Sequence, residues 1–186
     1  ASTFLALFVF NSCKDDDIVT PPDTNPFENL VLVGEQNTGV GSYVKIYADE
    51  ALFVGYNNLY ITLFDSASNE QITNGCIDLV PMMDMMTMKH SAPFVSPGDI
   101  LDPQTRVFRG AVVFTMPSGS HGTWSLKLHI NNYDAQSEVD VSVSVTVVAK
   151  SESRLLSFVR KSDSASMFVT LIEPVKPEVG LNKITY

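Results

Sequence analysis

Methionine is concentrated in one short segment of the chain. Five of its seven methionines lie within residues 82–88, and His90 follows two positions later. If this segment is extended, Met86, Met88 and His90 point to the same face. Thioether sulfur is a soft, neutral ligand, and together with imidazole it suits Cu(I) far better than zinc, calcium or magnesium. The pattern therefore predicts a Cu(I) site formed by Met86, Met88 and His90.

Nearby residues offer a fourth ligand, and the segment also fits a second role. Met116 and His121 flank a predicted turn at Pro117–Ser120, and either is a candidate to complete the coordination shell. His121 precedes Gly122, which equally favours an exposed turn residue. Methionine is flexible and fills irregular gaps, so the same strand suits core packing or contact with a partner. Metal binding and packing remain alternatives at this point.

The N-terminal residues have the order of features found in an exported lipoprotein. The apolar run Phe4–Phe10 is much shorter than the roughly 20 residues that a spanning helix needs, but it suits the apolar region of a signal peptide. The segment Asn11–Cys13 follows and resembles a bacterial lipobox, in which the cysteine is lipidated. We therefore predict a signal peptide at residues 1–13 and a membrane anchor on Cys13. A short buried strand before an acidic loop is the alternative.

Residues 14–26 are acidic and contain three prolines, which predicts a flexible tether. Their Lys-Asp-Asp-Asp start resembles the sorting signal of surface lipoproteins in some Gram-negative bacteria. We therefore expect a protein of the cell envelope, at the outer membrane or the cell surface. With Cys13 lipidated, Cys76 has no partner for an intramolecular disulfide, so core packing must hold the domains together.

Charge and residue types exclude several classes of function. The formal net charge is −9 and the pI is near 4.6, which would repel a phosphate backbone, so we exclude nucleic acid as a partner. The three histidines are scattered over predicted strands and turns. They form no Ser-His-Asp or Cys-His pattern, no zinc motif accompanies them, and the sequence has no phosphate-binding loop. We therefore expect a protein that is not an enzyme.

Alternation of apolar and polar residues predicts strands along most of the chain. From Glu138 to Val147 five valines alternate with polar residues, and in Thr123–Ile130 the side chain of Trp124 begins an inward-facing series. Four further runs read in the same way: Tyr43–Tyr47, Leu59–Phe64, Cys76–Val80 and Val107–Met116. Turn-forming clusters separate them. The sequence therefore predicts an all-β fold, with two antiparallel sheets packed as a sandwich.

A short internal repeat lies near the C-terminus. Residues 54–59 (VGYNNL) match residues 179–184 (VGLNKI), an offset of 179 − 54 = 125. The same offset aligns residues 43–47 with residues 168–172 without a gap. A second copy of the first domain is therefore expected to begin near the end of this sequence.

The repeat predicts two units of unequal size. The first is a β-sandwich domain at residues 27–150, and the second, at residues 151–186, is the incomplete beginning of another copy. We expect such a chain to come from a longer tandem protein. The alternative is that residues 151–186 add strands to the first domain.

A family resemblance rests on four segments. Residues 81–85, 88–93, 110–118 and 122–126 include the Met–His stretch and a Gly-x-Trp strand. Together they resemble the YtkA/FixH-like family of small immunoglobulin-like extracytoplasmic domains, which are similar in shape to CopC-type copper carriers. The resemblance implies an immunoglobulin-like sandwich. The N-terminal histidine that CopC-type carriers use for Cu(II) has no counterpart behind a lipidated Cys13, so only the softer Cu(I) site is implied.

Two functions from different classes follow. The first is a lipid-anchored protein that binds Cu(I), buffers it, and exchanges it with a copper donor or acceptor. The second is a non-enzymatic, immunoglobulin-like surface module that binds a protein or glycan without metal. Sulfur atoms that converge near His90 in a mouth open to solvent favour the first function. A methionine strand directed into the core favours the second.

Overall fold

The structure is a computed structural model that describes residues 27–152 and 154–186. Within these ranges the chain forms strands, turns and irregular segments but no helix. The strands are β1 (Val31–Asn37), β2 (Ser42–Ala48), β3 (Gly55–Asp65), β4 (Gln71–Ile72), β5 (Gly75–Asp84), β6 (Lys89–Ser91), β7 (Phe94–Val95), β8 (Phe108–Phe114), β9 (Thr123–Asn132), β10 (Ser137–Val145), β11 (Leu155–Val159) and β12 (Ser166–Thr170). The predicted all-β fold is confirmed.

The strands form two main sheets and a smaller one, and all paired strands are antiparallel. The first sheet has the order β1-β2-β3-β8-β7, with β4 beside β3. The second has the order β10-β9-β5-β6. Strands β11 and β12 pair with each other as a separate hairpin. Within the ranges described, they therefore add no strand to either main sheet.

Alternating side chains of the two main sheets meet in one hydrophobic cluster. On β9 the residues predicted to face inward, from Trp124 to Ile130 in steps of two, are almost fully buried. On β10 the valines nearest the end of the strand, Val143 and Val145, are buried, and Val139 and Val141 pack partly against the cluster. Removal of these apolar faces from water joins the sheets into the predicted sandwich.

Several predicted strand ends differ from those observed, and the C-terminal ends of β5 and β10 have an identifiable cause. Strand β5 does not end at Val80 but continues to Asp84, because its backbone pairs with β9 up to Thr123. Two of the clustered methionines are thereby part of the second sheet. Strand β10 ends at Val145, and the chain beyond it crosses over, so that the Val54 N–H donates to the Val148 carbonyl (3.0 Å). Pairing between neighbouring strands decides these ends, and local residue type does not.

The core position Leu126 provides a test of the sandwich. Leu126 is fully buried, and its neighbour Lys127 faces solvent. We expect Leu126→Ala to lower the free energy of unfolding by about 2–5 kcal/mol, because the truncation leaves a cavity. We expect the control Lys127→Ala to change it by about 0.5 kcal/mol or less. Urea unfolding followed by tryptophan fluorescence measures both, and equal effects would contradict this packing.

Candidate functional site

The methionine-rich segment is a hairpin and not one extended strand. After β5 ends at Asp84 the chain reverses and returns as β6. The Met85 N–H donates to the Met88 carbonyl (2.9 Å), and Met86 at the apex has a φ of +66°. The Asp84 carboxylate accepts a hydrogen bond from the Met86 N–H (3.0 Å), which stabilises the turn. The extended arrangement that would align Met86 with Met88 and His90 is therefore wrong.

The hairpin register places a different set of residues on one face. Met83 is directly opposite His90, and Asp84 is opposite Lys89. Met83 is fully buried, so its face of the hairpin is the one directed at the core. Met85 and Met88 lie in the turn just beyond the two strands and are joined by a backbone hydrogen bond. If the alternation of the strands is continued to them, both are assigned to the face of Met83 and His90.

The members of this face differ in exposure. Met85 packs partly against the core, whereas Met88 is 59% exposed. Met86 is 89% exposed at the apex of the turn, where its φ is +66°. The face that carries Met85, Met88 and His90 is named here the soft-ligand face. It begins at the core and ends in solvent.

Trp124 borders the soft-ligand face from the neighbouring strand. Its ring is buried and meets the His90 ring at right angles, with 5.6 Å between the ring centroids. On the other side it contacts Phe114 of the first sheet, with centroids 5.0 Å apart. The Trp124 Nε1–H donates to the Met116 carbonyl (2.9 Å), and the Met116 side chain packs partly against the core. Met116 therefore lies at the same end of the sandwich as His90.

A second turn packs directly against the hairpin. Gly119 and Gly122 exchange two backbone hydrogen bonds of 3.0 and 3.1 Å, so Ser120 and His121 form the apex of a tight turn. A Cβ atom added to Gly122 would come within 2.6 Å of the Asp84 carbonyl oxygen and 3.0 Å of the Met83 Cε. Glycine permits this close approach, and His121 is exposed beside it.

One hydrogen bond determines which nitrogen of His90 is free to bind a metal. Its Nδ1 lies 3.0 Å from the Ser91 carbonyl oxygen. A carbonyl only accepts, so Nδ1 carries the proton in the neutral ring, and Nε2 keeps its lone pair. Metal-binding histidines commonly have this arrangement, in which one nitrogen is oriented by a carbonyl and the other binds the metal.

The charged groups of the hairpin lie on its opposite face. Asp84 and Lys89 form an ion pair of 2.8 Å. The side-chain hydrogen bond from Lys89, followed by the backbone N–H of Met86, lowers the pKa of Asp84 below its ordinary value. Asp84 is therefore ionised at neutral pH and already paired. The soft-ligand face itself consists of neutral thioethers and an imidazole, a donor set that fits a soft monovalent ion such as Cu(I).

The structure brings only part of the predicted site together. Met88, His90 and Met116 lie at the same end of the sandwich, and His121 lies on the adjacent turn. Met86 does not belong to this group, and Met85, which the sequence reading did not select, takes its place. Met85 lies opposite Met88 only because the chain turns between them. Residues 85–88 contain no glycine, proline or asparagine, so the sequence gives no sign of this turn.

Other reactive side chains lie elsewhere. Cys76 is the second residue of β5, about 23 Å from Met83 at 3.3 Å per residue. Burial raises the pKa of its thiol. His129 lies on the outer face of the second sheet, as predicted, and the hydrogen bond that its Nδ1–H donates to the Asp140 carboxylate (2.9 Å) raises its pKa. Among residues 27–152 and 154–186, no three His, Cys, Asp or Glu side chains are grouped to hold a metal ion.

Comparison with known proteins brought no match: no protein-family model, no curated protein and no solved structure is similar to this chain. No long apolar helix able to cross a membrane occurs in the part of the chain that the structure describes. Cys13, the predicted lipidation site, lies outside that part.

Gly119 and Gly122 provide a matched pair of substitutions. Their φ angles are +151° and +154°, but a Cβ at Gly119 meets no atom within 4 Å, whereas one at Gly122 meets the hairpin. We expect Gly122→Ala to lower the free energy of unfolding by about 1–3 kcal/mol more than Gly119→Ala, since only the former forces the two turns apart. Urea denaturation of both variants measures the difference. Equal losses would contradict the contact between the turns.

Proposed function

We propose that this protein is a lipid-anchored binding protein of the cell envelope that binds Cu(I) through the soft-ligand face. Met85, Met88 and the Nε2 of His90 supply three ligands, and Met116 is the candidate for a fourth. The observation that supports the proposal is the hairpin register, in which Met83 is opposite His90 and the His90 ring meets Trp124. Continued into the turn, this register assigns the thioethers of Met85 and Met88 to the same face as the imidazole. Thioethers stay available at low pH because they do not bind protons.

The arrangement suits buffering and transfer more than permanent storage. Met88 is mostly exposed, so an incoming donor or acceptor can reach one ligand first. His90 is held by the Ser91 carbonyl, and the neighbouring indole shields the inner side of the site from water. We therefore propose exchange of Cu(I) with a copper donor or acceptor protein at the solvent-exposed end of the hairpin.

We also propose an immunoglobulin-like arrangement for residues 27–150. The strand order supports this arrangement. In the first sheet, β2-β3-β8-β7 corresponds to the immunoglobulin strands A-B-E-D. In the second sheet, β10-β9-β5-β6 corresponds to G-F-C-C′. Immunoglobulin domains of the constant type have the ABED and GFC sheets. Strand β1 is then an addition beside A. Membership of the YtkA/FixH-like family is proposed on the same arrangement and on the Met–His stretch.

A second candidate function is an interaction module that binds a protein or glycan without metal. The outer face of the first sheet favours it, because aromatic rings are stacked there. Tyr43 and Phe64 have centroids 5.2 Å apart, and Phe27 and Tyr47 have centroids 4.7 Å apart. Partly exposed aromatic side chains are common in recognition surfaces. This face lies on the other sheet from the methionine hairpin.

Cu(I) titration against a competing chelator tests the metal proposal. The chain contains one tryptophan, so its fluorescence reports on the surroundings of His90. We expect one-to-one binding with quenching of Trp124, and a Kd at least about tenfold higher in Met85→Leu/Met88→Leu, equal to about 1.4 kcal/mol. Leucine conserves the volume, so the fold should survive.

Met86→Leu is the matched control for this titration. It removes a thioether from the same hairpin but off the soft-ligand face, so we expect the Kd to stay within about twofold of the original. Equal weakening by Met86→Leu and by the double variant would contradict the proposed ligand set. Absence of one-to-one binding, with an unchanged melting temperature in Cu(I), would favour the metal-free module.

Membrane attachment has its own test. When the protein is expressed in a Gram-negative host with its leader, we expect Cys13 to incorporate labelled palmitate and the protein to fractionate with membranes. Cys13→Ser should abolish the label, whereas Cys76→Ser should leave it unchanged. Labelling of Cys13→Ser at the original level would refute the lipid anchor.

A further inference from the structure

A cavity of about 550 Å³ lies between the first domain and the C-terminal hairpin of β11 and β12. Residues from the segment 48–58, which leads from β2 into β3, form one wall together with Lys150. Arg154 and residues from the segment 170–175 form the other wall. Binding sites for small molecules have volumes of about 300–1,000 Å³. This cavity, named here the hairpin cleft, has the size of such a site and shares no residue with the soft-ligand face.

Backbone hydrogen bonds hold the first wall of the hairpin cleft in place. The Val54 N–H donates to the Val148 carbonyl (3.0 Å), and the Val148 N–H donates to the Leu52 carbonyl (2.8 Å). The Asn57 side chain bonds to both the N–H and the carbonyl of Phe53 (3.0 and 2.8 Å), which closes the bend before β3. This wall is therefore preformed, and a preformed site lowers the entropy cost of binding.

The charged side chains of the first wall already have partners. Asp49 accepts hydrogen bonds from the Asn58 Nδ2 and from the Tyr60 hydroxyl, both of 2.9 Å. Burial, followed by the hydrogen bond to Asp49, raises the pKa of Tyr60 to about 12, so this donor stays protonated. The Lys150 Nζ donates to a Glu50 carboxylate oxygen (2.7 Å). Hydrogen-bonding capacity remains, since a carboxylate has about four lone-pair sites and an ammonium has three donors.

The second wall also has hydrogen-bonding groups to spare. The Arg154 guanidinium donates to the carbonyls of Ile172 (3.3 Å) and Pro174, which leaves further N–H donors. The Thr170 hydroxyl is buried and has no hydrogen-bond partner among the residues described. Buried hydroxyls usually have a partner, so this wall is incomplete as it stands.

Charge disfavours an ionic ligand in the hairpin cleft. Its lining has two cationic and four carboxylate side chains, a net charge of 2 − 4 = −2. These side chains belong to Lys150 and Arg154, and to Asp49, Glu50, Glu152 and Glu173. An anion is therefore repelled. A cation gains little, because three of the four carboxylates already accept a hydrogen bond from the protein.

The remaining donors and acceptors suit hydroxyl groups. A hydroxyl both donates and accepts, so it can bond to a carboxylate oxygen and to a neighbouring N–H at once. Phe53, Ile172 and Val175 add apolar surface to the same lining. A saccharide combines several hydroxyls with apolar C–H groups, and its two kinds of surface match those of the cleft.

We propose that the hairpin cleft binds a neutral saccharide. Asp49 and Lys150 on one wall and Arg154 on the other hydrogen-bond to its hydroxyls, and Phe53 contacts its C–H groups. The C-terminal hairpin thereby acquires a function, because it supplies the second wall of the site. The site is separate from the soft-ligand face and from the aromatic pairs on the first sheet, so its test stands apart from that of Cu(I) binding.

Backbone amide chemical shifts of the isotope-labelled chain test the ligand and its place. The neutral probes are glucose, galactose, mannose, N-acetylglucosamine, maltose, cellobiose and lactose, and the anionic probes are glucuronate and galacturonate. We expect at least one neutral probe to shift the amides of Asp49, Lys150 and Arg154 in a saturable manner, and neither anionic probe to do so. Failure of every neutral probe, tighter binding of a uronate, or shifts confined to Tyr43 and Phe64 would overturn the proposal.

Two lysines in similar surroundings provide a matched pair of substitutions. Lys150 and Lys45 each form an ion pair with a glutamate and a cation–π contact with a phenylalanine, but only Lys150 lines the hairpin cleft. We expect Lys150→Met to raise the Kd of the tightest neutral probe at least about tenfold, and Lys45→Met to leave it within about twofold. Calorimetric titration measures both. An unchanged Kd in Lys150→Met, or an equal rise in both variants, would contradict the site.

Folding and copper binding are measured on the same two variants. We expect the urea midpoint and the Kd for Cu(I) to stay as in the original chain, because neither lysine belongs to the core or to the soft-ligand face. A loss of saccharide binding that accompanies a fall in the urea midpoint as large as that of Leu126→Ala would reflect unfolding and would count against the site. The shift measurement uses the unmodified chain, so it decides the proposal even where a substitution unfolds the protein.

Discussion

Trp124 lies between Phe114 of the first sheet and His90 of the second, so the contact that closes one end of the core also positions the imidazole. The indole is buried, and its N–H is satisfied by the Met116 carbonyl, which ties the chain after β8 to β9. Pairing of β9 with β5 then carries the methionines to the same end. The candidate site is thus a consequence of how the sandwich ends, since the same packing that excludes water from the core aligns its ligands.

The charged side chains of the methionine hairpin and its sulfur and imidazole groups are assigned to opposite faces. Asp84 and Lys89 neutralise each other on the outer face, while the inner face carries thioethers and one imidazole. A hard divalent ion would find no carboxylate among those inner groups. The proposed preference for Cu(I) over calcium or magnesium rests on these neutral sulfur and nitrogen donors. The outer ion pair is exposed and therefore adds little stability.

Much of the fold was predictable from alternation, because a sheet covered on one side buries every second residue. Trp124, Leu126 and the valines of β10 illustrate this. The turn at residues 85–88 was not predictable, since Met-Met-Thr-Met contains none of the usual turn formers. Its position depends on long-range contacts: pairing of Asp84 with Thr123, and the close approach of Gly122. The turn leaves Met86 exposed at its apex and packs Met85 partly against the core. The matched residues Asn57 and Asn182 each donate to the carbonyls two and four residues earlier, and a local motif of this kind can be read from sequence.

X-ray absorption at the copper edge of the chain loaded with one equivalent of Cu(I) tests the central claim most directly, because it counts ligand atoms by element. The account predicts a first shell of at least two sulfur atoms and one imidazole nitrogen, with the sulfur contribution reduced in Met85→Leu/Met88→Leu and retained in Met86→Leu. A shell of nitrogen and oxygen alone, or a sulfur contribution that disappears in Met86→Leu, would contradict it.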